Sequence, residues 1–101
     1  MSSARFAALV AAQPENEMFR FSLAQALLRE GKTADAVPHL EFCAVKKADW
    51  MMARILLGKA LLALGRAADA KPWLEQALHL AVEQSHEDPE RELRGILAEL
   101  V

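Results

Sequence analysis

The chain has 101 residues, 53% of them apolar, with 12 basic and 14 acidic side chains and a formal charge of −2 at pH 7. Ala (20) and Leu (16) dominate, only eight residues are Val, Ile or Thr, and there is no Tyr. Strands favour β-branched and aromatic residues whereas Ala and Leu lose little in a helix, so this balance excludes a β-sandwich or barrel. A high apolar fraction with four Gly and four Pro excludes a disordered or collagen-like chain, and the length fits one domain. Nucleic-acid binders carry a basic stripe, and the only run of basic residues here is Lys46-Lys47, so nucleic acid is not an expected partner.

The first apolar run, Phe6 to Ala12, has seven residues, far short of the roughly 20 that a membrane span needs. Arg5 before it gives a faint signal-peptide pattern, but the run is short and leads into Gln13-Pro14-Glu15. It reads as a helix that Pro14 ends. A single cysteine, Cys43, makes no internal disulfide, and the expected setting is a reducing cytoplasm without membrane contact.

From Met18 onward the chain repeats. A shift of 34 residues lays Met18 to Ala44 on Met52 to Leu78, and 13 of the 27 aligned pairs are identical. Gly31 falls on Gly65, Pro38 on Pro72, Ala34-Asp35-Ala36 on Ala68-Asp69-Ala70, and Ala26-Leu27-Leu28 on Ala60-Leu61-Leu62. Each unit reads as two helices. In the first, Phe19, Leu23, Ala26 and Leu27 run at helical spacing until Gly31, which takes the left-handed conformation that stops a helix. Thr33 is placed to cap the next helix and Asp35 suits its positive start. That helix carries Val37, Leu40, Ala44 and Val45 on its apolar side. The second unit repeats the plan from Ile55 to Leu64, with a stop at Gly65 and a helix to about Gln84. A three- or four-residue connection makes the two helices of a unit antiparallel. Pro38 and Pro72 sit inside the second helices, so either those helices begin at Asp35 and Asp69 or their first turns are distorted. Asp88-Pro89 then reads as an N-cap followed by a first-turn proline, and Leu93, Ile96, Leu97 and Leu100 form the stripe of a last helix. Helices are therefore expected near 3–12, 16–30, 34–47, 50–64, 68–84 and 89–100.

This arrangement resembles the tetratricopeptide repeat family. The period is 34 residues, the unit is helix–turn–helix, and the family pattern runs W-x2-L-G-x2-Y, then A-x3-F, then P. The second unit offers Leu57-Gly58, Leu61, Ala70 and Leu74, and the first Leu23-Ala24, Leu27, Ala36 and Leu40. Arg20 and Arg54 replace the opening aromatic, and Ala48 and Val82 replace the closing Pro. Phe6 and Pro14 have the spacing of the end of a preceding unit. The resemblance implies an all-α fold of antiparallel helix–turn–helix repeats, stacked as a short right-handed superhelix. Residues 1–101 would form one domain: a leading half-repeat at 3–14, repeats at 17–50 and 51–84, and a capping helix at 88–101 that sits about five residues later than the period requires.

The resemblance also implies a concave surface lined by the first helices. Carried onto this sequence, the lining positions are Met18, Phe21, Gln25 and Leu28 in the first unit, and Met52, Ile55, Lys59 and Leu62 in the second. The set is mostly apolar, and Met suits adaptable surfaces. It points to a groove for a peptide or amphipathic helix, with Met18, Phe21, Met52 and Ile55 in contact and Gln25 and Lys59 setting orientation. The same stripe serves equally as covered core or as the face of a homodimer. The family's groove for a terminal carboxylate needs Lys, Arg and Asn, but Phe21, Gln25 and Leu56 stand there, so carboxylate clamping is not expected.

Arg20 and Arg54 have carboxylates such as Glu17 and Asp49 nearby. They either pair with these, grip an acidic partner or, the plainer reading, lie along the surface. Trp50 is expected to pack between units, whereas Trp73 suits core and interface equally. His79, Glu83 and His86 fall near one helix face but leave no third fixed ligand, so no metal is assigned. His39 and Cys43 are four residues apart on one helix, yet Cys43 aligns with Ala77 and reads as a buried packing residue. No phosphate loop, nucleophile elbow or carboxylate pair is present, so the reading is a non-enzymatic protein-interaction module without cofactor, or alternatively a self-associating subunit.

Overall fold

The computed structural model describes residues 2–100 of the chain. It contains α1 (Ser3–Ala12), α2 (Glu17–Arg29), α3 (Thr33–Lys46), α4 (Met51–Ala63), α5 (Ala67–Glu83) and α6 (Glu87–Glu99), and no strand among the described residues. Met1 and Val101, the outermost residues of the expected domain and cap, lie outside them. Each helix packs chiefly on its neighbours in sequence, α1 on α2 through to α5 on α6, as a stack of antiparallel hairpins does.

The turns follow from the two glycines. Gly31 (φ 76°) and Gly65 (φ 75°) take the left-handed conformation. Behind Gly31, the Lys32 N–H donates to Leu27 O (2.8 Å) and the Gly31 N–H to Leu28 O (3.1 Å), which satisfies two carbonyls at the end of α2. Arg66 and Gly65 do the same for Leu61 and Leu62 in α4. A third turn of this form closes α5, where His86 donates to Ala81 O and Ser85, not glycine, stands in the left-handed region (φ 59°).

That third turn corrects the sequence expectation. The last helix starts at Glu87 rather than 89, two residues rather than five behind the repeat, since α2, α4 and α6 start at 17, 51 and 87. Asp88 and Pro89 lie inside its first turn. First-turn N–H groups have no partner within the helix, so Pro89 removes no bond there. Thr33 is likewise the first residue of α3 and not its cap; Lys32 holds the cap position without a side-chain bond. Pro38 and Pro72 fall in the second turns of α3 and α5, which begin at Thr33 and Ala67 rather than at the aspartates. Pro has no N–H for Ala34 O or Ala68 O, and both alanines are exposed rather than buried in the core.

The core runs the length of the stack. Leu40, Leu57, Leu74 and Leu93 are fully buried, with Ala24, Ala36, Ala44, Ala53, Ala70 and Ala77 between them. Small residues let the helices approach. A Cβ added at Gly58 would lie 2.4 Å from Leu74 Cδ2, so α4 and α5 meet more closely than any side chain at 58 permits. Val45 departs from the expected apolar side of α3: it is 74% exposed.

Candidate interaction surfaces

The first-helix face is built from α2, α4 and α6. Asn16 caps α2 by accepting from the Phe19 N–H at 3.0 Å. Met18 and Met52, one period apart, stand in the first turns of α2 and α4 and are 54% and 44% exposed. Gln25 and Lys59 follow at mid-helix, then Leu28 and Leu62, all half-buried. Phe21 and Ile55 differ from the other six. Each is buried in the core, and Phe21 stacks on Trp50 with ring centroids 4.5 Å apart. They form the floor beneath the face rather than its surface, and Trp50 at the junction of the units covers Phe21. Trp50 thereby packs between units, where the sequence placed it. Lys59 is engaged as well: its Nζ pairs with Glu92 of α6 at 2.9 Å.

A second face is organised by the arginines that replace the family's opening aromatic. Arg20 donates from Nε to Pro14 O (2.7 Å), places Nη1 3.4 Å from His39 Nδ1, and lays its guanidinium 4.1 Å above the Phe42 ring. Arginine only donates, so this contact is a hydrogen bond when Nδ1 carries no proton. Burial first, and the Arg20 cation second, hold the His39 pKa below its ordinary value, against a smaller pull from Asp35. Arg54 repeats the role: Nε donates to Gln76 Oε1 (2.9 Å), Nη1 to Ala44 O (3.1 Å), and the guanidinium lies 5.6 Å from the half-buried Trp73 ring. Neither arginine pairs with Glu17 or Asp49. Glu17 instead takes Lys46 (3.4 Å) and Lys47 (3.3 Å). Its own backbone N–H and then Lys47 hold its carboxyl below the usual range.

Elsewhere, Glu30 at the end of α2 accepts from the N–H and hydroxyl of Ser3 at 2.7 and 2.6 Å. These bonds fasten the start of α1 to the next hairpin and lower the Glu30 pKa. Sequence reasoning missed this cap, because nothing local joins residues 27 apart.

The Cys43 thiol is buried and donates to Glu17 O at 3.4 Å, not to His39, and burial pushes its pKa up to about 11. A thiol in that state is a packing residue. His79 pairs with Glu83 at 3.2 Å, while His86 lies beyond the Ser85 turn. Among the described residues no three His, Cys, Asp or Glu side chains are grouped to hold a metal, and no helix is long and apolar enough to cross a membrane.

The stacked helix pairs and their recurring glycine turns define a helical-repeat protein. The family model described as Tetratricopeptide repeat matches residues 18–41 and 51–76, the two units found from the 34-residue shift. The chain belongs to the tetratricopeptide repeat family, whose repeats generally mediate protein–protein interaction and which is typically a non-enzymatic scaffold. No curated protein and no solved structure matches the chain.

Proposed function

We propose that this chain is a non-enzymatic interaction module that holds a peptide or amphipathic helix on the face shared by α2 and α4. The observation that carries the reading is the pair Met18 and Met52. Both are large apolar side chains, both sit at the same position of their units, and both are exposed while Phe21 and Ile55, three residues on, are buried. Flexible thioether side chains adapt to varied apolar partners. Leu28 and Leu62 extend the apolar strip toward the other end, and Gln25 and Lys59 supply polar contacts between them. The Lys59–Glu92 pair must open for Lys59 to reach a partner, at little cost because it is exposed. Phe21 and Ile55 contribute shape from below.

Met18→Glu with Met52→Glu tests the face. Both positions are exposed, so the double variant should unfold at the wild-type temperature. A partner captured by the wild type should be lost from it, and kept by the control Val82→Glu, an exposed apolar position outside the face. Equal capture by all three proteins would remove the face as the binding site. A wild type that sediments as a dimer, with the double variant a monomer, would assign the face to self-association instead.

A further inference from the structure

The outer side of α3 carries an apolar stripe that the repeat itself does not require. Pro38, Phe42 and Val45 lie at i, i+4 and i+7 and together wall an open crevice of about 580 Å³. Val45 is 74% exposed, more than any other large apolar side chain among the described residues. One period later the same positions of α5 hold Pro72, Gln76 and His79, so packing within the stack asks for nothing apolar at 42 or 45. The stripe shares no residue with the Met18–Met52 face.

The charges beside the stripe follow a heptad. With Phe42 at position a and Val45 at d, Pro38 is the preceding d, Glu41 is at g and Lys46 at e. Glu41 therefore flanks the stripe on one side and Lys46 on the other. Glu41 is exposed and forms no ion pair among the described residues. Lys46 shares Glu17 with Lys47, so Glu17 keeps a partner when Lys46 turns away. Arg20 stands on the Lys46 side: it donates to Pro14 O, next to the Glu15 O that Lys46 holds, and covers one side of the Phe42 ring. Glu15 borders the crevice there as well, so the lining holds two carboxylates and two cations and is neutral as a whole. Such a lining favours neither an acidic nor a basic peptide. It does complement a copy of itself, because the unpaired Glu41 of one copy is the counterpart of the cations of another.

We propose that this stripe joins two copies of the chain, with their α3 helices parallel about a two-fold axis. Phe42 and Val45 of each copy then meet their own equivalents in the other. Glu41 of each copy reaches Lys46 and the free Nη2 edge of Arg20 in the other, since g and e positions five residues apart face each other across a parallel helix pair. The acidic excess of the chain does not oppose this contact, because six of its 14 acidic residues lie at 83–99, in α6 and just before it. One helix pair is smaller than the standard interface of about 800 Å² per partner, so the dimer is weak and half-formed at about 0.1–1 mM.

The test is sedimentation of the full chain up to about 1 mM, where the mass should rise toward twice that of one chain. Val45→Glu sets two carboxylates against each other at an exposed position, so the thermal midpoint should hold while association weakens at least about tenfold. Glu41→Lys exchanges both charge pairs for repulsion and should weaken it at least about threefold. Val45→Cys should form a disulfide-linked dimer under mild oxidation, because like d positions adjoin in a parallel pair, whereas Val82→Cys should not; Cys43 is buried and adds little. Met18→Glu with Met52→Glu should still dimerise, so this proposal and the reading of the Met18–Met52 face fail separately. A wild type that stays a monomer at about 1 mM would overturn the proposal and leave the crevice to a different chain. A dimer that Val45→Glu does not weaken would overturn it too, as would one lost from the double Met variant, or a Val45→Cys chain that crosslinks no faster than Val82→Cys.

Discussion

Gly58→Ala puts the close packing of α4 on α5 to a test whose sign is in question. In a helix interior, Ala is favoured over Gly by about 0.5–1 kcal/mol, so local propensity alone makes the change stabilising. The added Cβ, however, lies 2.4 Å from Leu74 Cδ2 and 2.5 Å from Cγ. Leu74 is fully buried and has no open side to move into. Overpacking of this kind costs about 1–3 kcal/mol, and a contact this short belongs near the top of that range. The net expectation is a loss of about 2 kcal/mol, which in a domain of this size lowers the thermal midpoint by about 8–16 °C. Urea unfolding followed by circular dichroism gives the free energy directly. In a Leu74→Ala background the clash is absent, and the same substitution should become stabilising by about 0.5–1 kcal/mol. The first unit already carries Ala24 opposite Leu40, so the constraint is specific to the second. A single Gly58→Ala variant more stable than wild type would refute the reasoning.

Four further outcomes are expected. Gly95→Ala, at a helical glycine with nothing within 4 Å of the added methyl, should stabilise by about 0.5–1 kcal/mol in the same assay. Ser85→Gly should relieve the left-handed turn before α6 and gain about 0.5–1 kcal/mol; a loss would mean that the serine side chain holds the turn. His39 has a folded pKa below its unfolded value, so the unfolded chain takes the proton first. Its stabilisation is complete above about pH 6.5 and is lost as pH falls from there through the folded pKa, so urea midpoints should drop on acidification and drop less in His39→Gln. Glu30 and Glu17, also lowered, add a second decline below their ordinary range near 4.5. Finally, Cys43, buried and with a pKa near 11, should resist iodoacetamide under native conditions and react as urea unfolds the chain; rapid native labelling would contradict its placement.

The helices were legible in the sequence because each stop is written by a residue with one physical reason to be there. Gly31 and Gly65 mark turns that need a positive φ, and the expected boundaries of the helices around them fall within one residue of those observed. Ser85 carries the same turn without the same signal, which is why the start of α6 was misplaced. The face of α2 and α4 was legible as a stripe, but its depth was not. Met18 and Phe21 are both apolar and three residues apart, and the second is buried in the core with Trp50, from the junction of the units, stacked on it while the first stays exposed. The arginine face was hidden for a related reason. It joins α3 or α5 to the start of the first helix of the same unit, so it exists only after each helix pair closes.

The last helix keeps the repeat on one face and departs from it on another. Leu23, Leu57 and Leu93 occupy equivalent positions in α2, α4 and α6, and each is buried. The residue that follows is Ala24 in the first unit, Gly58 in the second and Arg94 in the third. At the first two, a second helix packs against the small residue; at Gly58 even a methyl group lacks room. Arg94 instead pairs with Glu90 at 3.0 Å on the exposed side, and Glu90 stands where Arg20 and Arg54 stand in the complete units. One face of α6 therefore matches the repeat, burying Leu93 against the core, while the other has exchanged the small residue and the arginine for a solvated ion pair. α6 thus matches the first helices of the units at Leu93 and differs from them, at positions 90 and 94, in carrying a solvent-facing ion pair where they carry an arginine and a small residue.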